Sequence, residues 1–230
     1  MKNYHIIGRP FAGSLIVEFL FSELNINYDI SFIDKNDCKT PDFLKKNPLG
    51  RIPVLECKNG NIIFESLAII NYITDNYKSL IPEIGDPLRN RYNQFLSLIA
   101  TTVYQSYHRQ YHTYQYGIEN CYEHIRQDAK QVNDLIYDYF NKELNPYLCG
   151  DILTAVDFYL FMMFLFESDK KLLFNKYPNL DNHFKIINSR NSVLYTLKNQ
   201  PRIEQPQDNI SWKLHEKKFK KIKYIYDSKN

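Results

Sequence analysis

Apolar positions in the first eighty residues switch repeatedly between a spacing of two and a spacing of three to four, whereas beyond Asp86 the longer period takes over. Residues 2–7 predict a strand. Residues 14–24 follow as a helix with Leu15, Ile16, Phe19, Leu20 and Leu24 on one face, and residues 28–33 alternate as a second strand. A short helix is expected over residues 41–46, opened by Thr40 as its cap and Pro41 at the first helical position. Two further strands, residues 52–57 and 62–64, flank Lys58-Asn59-Gly60-Asn61, whose Asn-Gly pair suits a hairpin turn. A helix over residues 66–77 then turns Leu67, Ile70, Ile73 and Tyr77 to one side.

The order β-α-β-(short α)-β-β-α is that of a thioredoxin-like α/β domain, here residues 1–80. Residues 80–86, with Pro82 and Gly85, read as a linker. Helices are expected over residues 87–116, 121–140, 154–167, 179–187 and 192–198, which makes residues 86–199 an all-α C-terminal domain. Residues 200–230 form a polar extension that becomes basic over residues 217–223, read as a solvated tail.

Composition narrows the function classes. Among 230 residues, 44% are apolar and 24% charged, the balance of an ordinary globular protein. The net charge of +3 argues against nucleic acid or a membrane surface as partner. The longest apolar run, Phe158 to Phe166, is about half of a ~20-residue membrane span, and no secretory signal opens the chain, so a cytosolic location is expected. Cys38, Cys57, Cys121 and Cys149 are scattered without ligand spacing, which predicts neither a disulfide framework nor a metal site.

Candidate chemistry concentrates in FLKKNPLGRIPVLECKNGNIIFESLAIINY, from Phe43 to Tyr72. Pro53 opens a strand, and an X-Pro bond in a tight turn there is a candidate cis peptide, which would expose the amide and carbonyl of Ile52 to an extended peptide-like ligand. Glu65 and Ser66 stand where a strand gives way to a helix. A carboxylate would dock on Ser66 and the helix amides, and an ammonium on Glu65, so the pair reads as a receptor for an amino-acid head group. Taken together, N-P-x-G-x-[IV]-P-x-L followed by hydrophobic-E-S-x-A-I-x-x-Y resembles the glutathione-binding segment of the glutathione S-transferase superfamily. Thr154 to Asp157 is similar to the capping box that starts a buried helix in that family, and Tyr177-Pro178-Asn179-Leu180 to the opening of its next helix.

The resemblance implies a glutathione transferase that conjugates glutathione to a hydrophobic electrophile, in detoxification, as a homodimer. It makes Ile52 the main-chain partner of the cysteinyl unit, Pro53 the cis-proline, and Glu65 with Ser66 the receptor of the γ-glutamyl end. Arg51 falls near the glycine carboxylate. The rival readings are a non-catalytic binding or regulatory module and a glutathione-dependent isomerase. For the residue that activates the thiol, the candidates in order are Ser14, Arg9 and Tyr4, since Arg9-Pro10-Phe11-Ala12 sets an arginine where some classes have their nucleophile and the segment has no cysteine. Tyr104, Tyr107, His108, Tyr111 and His112 recur at helical spacing, and the stripe is either a wall for the co-substrate or a packing face.

Overall fold

The computed structural model describes residues 3–201, so the basic stretch at 217–223 lies outside them. The described residues divide into two compact units, one of residues 3–89 with 187–201 and one of residues 90–186.

In the first unit, β1 (Tyr4–Gly8), α1 (Leu15–Glu23) and β2 (Tyr28–Phe32) make a β-α-β turn with parallel strands. α2 (Pro41–Lys46) follows, with Thr40 capping the amide of Phe43. β3 (Val54–Cys57), β4 (Ile62–Phe64) and α3 (Ser66–Tyr77) complete a sheet of order β2-β1-β3-β4, in which β3 is antiparallel to both neighbours. This is the thioredoxin-like arrangement. α1 packs against α3 and also against α10 (Asn191–Lys198), so every residue from Leu15 to Phe21 is buried, Glu18 included. A helix enclosed on several sides loses the polar face that a surface helix keeps. Glu23, at the end of α1, accepts hydrogen bonds from Arg190 and Ser192, and Ser22 bonds Thr196 at 2.9 Å.

Across the sheet, Glu56 on β3 is cross-strand partner of His5 on β1. It accepts from Lys46 and lies 2.7 Å from His5 Nδ1, whose other ring nitrogen is 2.9 Å from Ser31 Oγ. Burial by itself pushes the Glu56 carboxyl up, but the bonds from Lys46 and His5 outweigh it and hold the group below its ordinary 4.5. A carboxyl more acidic in the fold than in the open chain stabilises fully above the ordinary value, and that contribution is lost as the pH falls through the lowered one. The urea midpoint is therefore expected to drop on acidification below about pH 4.5, with a shallower dependence in Glu56→Gln. Equal slopes in the two proteins would count against this account.

The second unit is helical. Instead of one helix over residues 87–116, the chain makes α4 (Pro87–Leu98), a π-helical turn (Ile99–Val103) and α5 (Tyr104–Tyr111), then leaves helical geometry at His112. The turn spans Ile-Ala-Thr-Thr-Val, where β-branched side chains crowd the preceding turn and the Thr101 hydroxyl donates back to the Ser97 carbonyl at 2.8 Å. α6 (Tyr122–Glu143) and α7 (Ala155–Phe166) follow, and α7 is buried along its whole length. The capping box is present: Asp157 Oδ2 accepts from the Thr154 amide at 2.8 Å. Between α7 and α9 (Pro178–Asn188) stands α8 (Lys170–Lys176), a helix the periodicity did not predict, whose start is marked by Asp169 accepting from the Leu172 amide at 3.1 Å. No helix among the described residues is long and apolar enough to cross a membrane.

Candidate functional site

The strand register decides which loops meet. Ile7 faces Val54, Val54 faces Phe64, and Gly8 faces Phe32, so the end of β1, the end of β2, the start of β3 and the end of β4 share one edge of the sheet. The turn after β1, residues 51–53 and the Glu65-Ser66 junction therefore converge there. Ile52-Pro53 is cis. Ile52 lies outside the ladder, and its amide and carbonyl have no main-chain partner among the described residues.

Two residues that the motif contains, but to which the sequence assigned no role, hold this segment. Asn47 is buried, donates from Nδ2 to the Arg51 carbonyl at 2.7 Å, and accepts the Leu49 amide at 3.0 Å. Gly50 has φ +60°, and a Cβ there would stand 3.0 Å from the Cys38 carbonyl. Arg51 projects an exposed guanidinium that forms no ion pair among the described residues. Glu65 is exposed and adopts φ 70°, ψ 121°, a conformation costly for a residue with a Cβ. Its side chain does not cap α3, so it does not occupy the first-turn amides at the positive end of the helix.

The turn from β1 into α1 departs from expectation. Ser14 is fully buried; its hydroxyl donates to the Arg9 carbonyl at 3.1 Å and takes the Arg9 amide at 3.3 Å. A Cβ on Gly8 would lie 2.4 Å from that oxygen, so the close approach needs glycine. Ser14 is thus a tie across the turn: its proton goes to the Arg9 carbonyl, and the Arg9 amide takes one of its two lone pairs. Arg9 sends Nε to the Ile33 carbonyl at 3.2 Å and Nη2 toward Cys38 Sγ at 3.6 Å, joining the loops after β1 and β2. Tyr4 sits at the opposite end of β1, where its hydroxyl accepts from Tyr77 at 3.1 Å, and takes no part in this edge.

The aromatic stripe lies in the helical unit. Tyr107 is buried, its hydroxyl 2.7 Å from that of Tyr137 and donating to Glu167 Oε2 at 2.9 Å. Burial and the neighbouring Glu167 push its phenol well above the ordinary range. Tyr111 donates to the Phe166 carbonyl at 2.6 Å, and Tyr104 meets the Phe166 ring edge-on. These tyrosines pack at the end of α7, the packing alternative of the two that the stripe offered. His108 turns the other way, against His112 and the Tyr116 hydroxyl.

The profile of the glutathione S-transferase N-terminal domain matches residues 1–75, and that of the glutathione S-transferase C-terminal domain matches residues 102–199. The chain belongs to the glutathione S-transferase superfamily. Within that superfamily it is 26% identical over 163 residues to an uncharacterized GST-like protein, YncG, of Escherichia coli K12, covering 69% of this chain and 79% of the relative. Elongation factor 1-gamma of Prunus avium is 27% identical over 175 residues, covering 73% of this chain but 38% of that relative. Among solved structures, a glutathione transferase homolog from Lodderomyces elongisporus with two GSH per subunit superposes with a TM-score of 0.78 at 20% identity, covering 87% of this chain and all of that one. At that identity the likeness speaks for the fold.

Proposed function

We propose that the protein binds glutathione along the edge of the sheet and conjugates it, through its sulfur, to a hydrophobic electrophilic small molecule. The observation that carries the reading is the convergence of Ile52, the cis bond to Pro53, Glu65 and Ser66 on that edge. The main chain of Ile52 would pair with the cysteinyl unit, as in strand addition. Glu65 would take the ammonium of the γ-glutamyl end, while Ser66 and the α3 amides take its carboxylate. Arg51 would serve as the cation for the glycine carboxylate. The sulfur then falls beside the turn after β1, where the positive end of α1 and the Arg9 guanidinium favour the thiolate. That thiolate attacks the electrophile, forming a C–S bond as the leaving group departs, and the thiol proton passes to water.

Calorimetry with glutathione, followed by thiol loss with a model aryl halide, tests the proposal in two steps. Heat with saturation and consumption of thiol is the expected result; no heat at millimolar glutathione overturns it. Heat without consumption supports instead the second reading, a non-catalytic binding module. That reading is favoured by the buried Ser14 hydroxyl and by the relative named as an elongation factor. Conversion of a substrate without net loss of thiol would point to isomerisation. The family reading also proposes a cytosolic homodimer, which light scattering of the purified protein would check for mass.

A further inference from the structure

Three costly features of the first unit meet at one place. Glu18 is 3% exposed within α1, and its Oε1 has no hydrogen-bond partner among the described residues. Phe11 holds φ +50°, a left-handed conformation unfavourable for a residue of its size. Gln200, just beyond α10, is 8% exposed and joins the two: its Nε2 donates to Glu18 Oε2 at 2.8 Å, and its Oε1 accepts the Phe11 amide at 3.1 Å. An amide has one donating and one accepting end, so the acceptor supplied by Glu18 dictates that the Gln200 carbonyl faces Phe11. Ser14, one helical turn before Glu18, closes the same turn onto Arg9.

A buried carboxyl with an idle oxygen destabilises a fold, and an apolar side chain of similar volume would fill α1 more cheaply. Burial pushes this carboxyl up to about 8, against the opposing bond from Gln200, while Tyr28 on β2 stands close enough to feel its charge. Strain retained at such cost points to a role in the site that it borders.

We propose that Glu18 and Gln200 are a positioning pair: Glu18 orients the Gln200 amide, which clamps the Phe11 main chain and holds the turn over residues 9–14 in the shape that receives the glutathione sulfur. The proposal rests on the glutathione reading of this edge. Neither residue touches the ligand. Their effect should appear in the reactivity of the bound thiol and hardly in affinity, which the 51–53 and 65–66 segments supply.

The test compares wild type, Gln200→Ala, Glu18→Met and Glu18→Gln. Each is saturated with glutathione, and the rate at which iodoacetamide alkylates the sulfur is read as carboxamidomethyl-glutathione formed above the protein-free rate. Gln200→Ala and Glu18→Met are expected to lose about tenfold or more of the enhancement, with Kd from calorimetry changed less than about threefold. Glu18→Gln keeps an acceptor for Gln200 and should keep the enhancement. Glu18→Met should unfold at higher urea than wild type, which separates positioning from a structural role, since stability and reactivity then move in opposite directions. An enhancement untouched by both Gln200→Ala and Glu18→Met overturns the pair. Wild type that binds glutathione without any enhancement also overturns it while leaving the binding site standing, whereas wild type that gives no heat removes the site and the pair together.

Discussion

Replacing Glu65 with alanine is expected to weaken glutathione binding by about 10- to 150-fold, the ~1.5–3 kcal/mol of a hydrogen bond to a charged group. The same change should leave the fold intact. Glu65 is exposed, caps nothing with its side chain and has φ 70°, so its presence costs stability. Glu65→Gly sharpens the test. Glycine accepts that backbone conformation without strain, and the variant should gain about 1 kcal/mol against urea while losing the same affinity as the alanine variant. A residue that weakens the fold and strengthens a ligand is one held in place for the ligand. Calorimetry beside urea unfolding reads both quantities, and a Glu65→Ala protein that binds glutathione as tightly as wild type removes Glu65 from the site.

The largest loss of stability is expected at Asp157, where Asp157→Ala should cost about 3–5 kcal/mol. Its carboxylate is fully buried and serves four donors: the Leu148 amide at 2.9 Å, the Thr154 amide at 2.8 Å, the Thr154 hydroxyl at 3.0 Å and His183 Nε2 at 3.1 Å. Alanine leaves these groups dry and unmatched at the head of α7, and each buried unpaired donor costs about 1–3 kcal/mol before relaxation. Thr154→Ala, which removes the cap and one of the four donors but keeps the carboxylate, should cost about 1–2 kcal/mol. Urea unfolding followed by circular dichroism gives both values. A loss at Asp157 no larger than that at Thr154 would show that the carboxylate acts as a cap alone, with His183 and Leu148 merely nearby.

Much of this architecture was legible because its determinants are local. Thr40-Pro41 opens α2 where the cap and the proline said it would, Asn59-Gly60 turns β3 into β4, and α3 runs from Ser66 to Tyr77 as its apolar spacing required. The Ile52-Pro53 bond is cis, as its place at the head of a strand suggested. Where a β-branched run let the backbone choose between helical forms, periodicity was blind: residues 99–103 keep a helical pattern and still break α4 from α5.

What the sequence by itself determined is the set of segments that the sheet brings to one edge: the Asn47 to Pro53 turn, the Glu65-Ser66 junction and the turn after β1. Their motifs are short, and the conformations they need are set by neighbours a few residues away. Only the tertiary structure decided which side chains within those segments remain free to act. Ser14 reads as a hydroxyl at a helix start, yet packing between β1 and α1 seals it onto Arg9. Tyr107 reads as one member of an aromatic stripe, yet Glu167, sixty residues on, draws its hydroxyl inside. Glu18 drew no reading from the sequence, and burial of α1 against α10 makes it an acceptor for Gln200, 182 residues away. Spacing along the chain orders neighbours within a turn of helix or strand, whereas burial is conferred by elements that arrive from elsewhere, and burial determines whether a polar group is spent within the fold or left for a ligand.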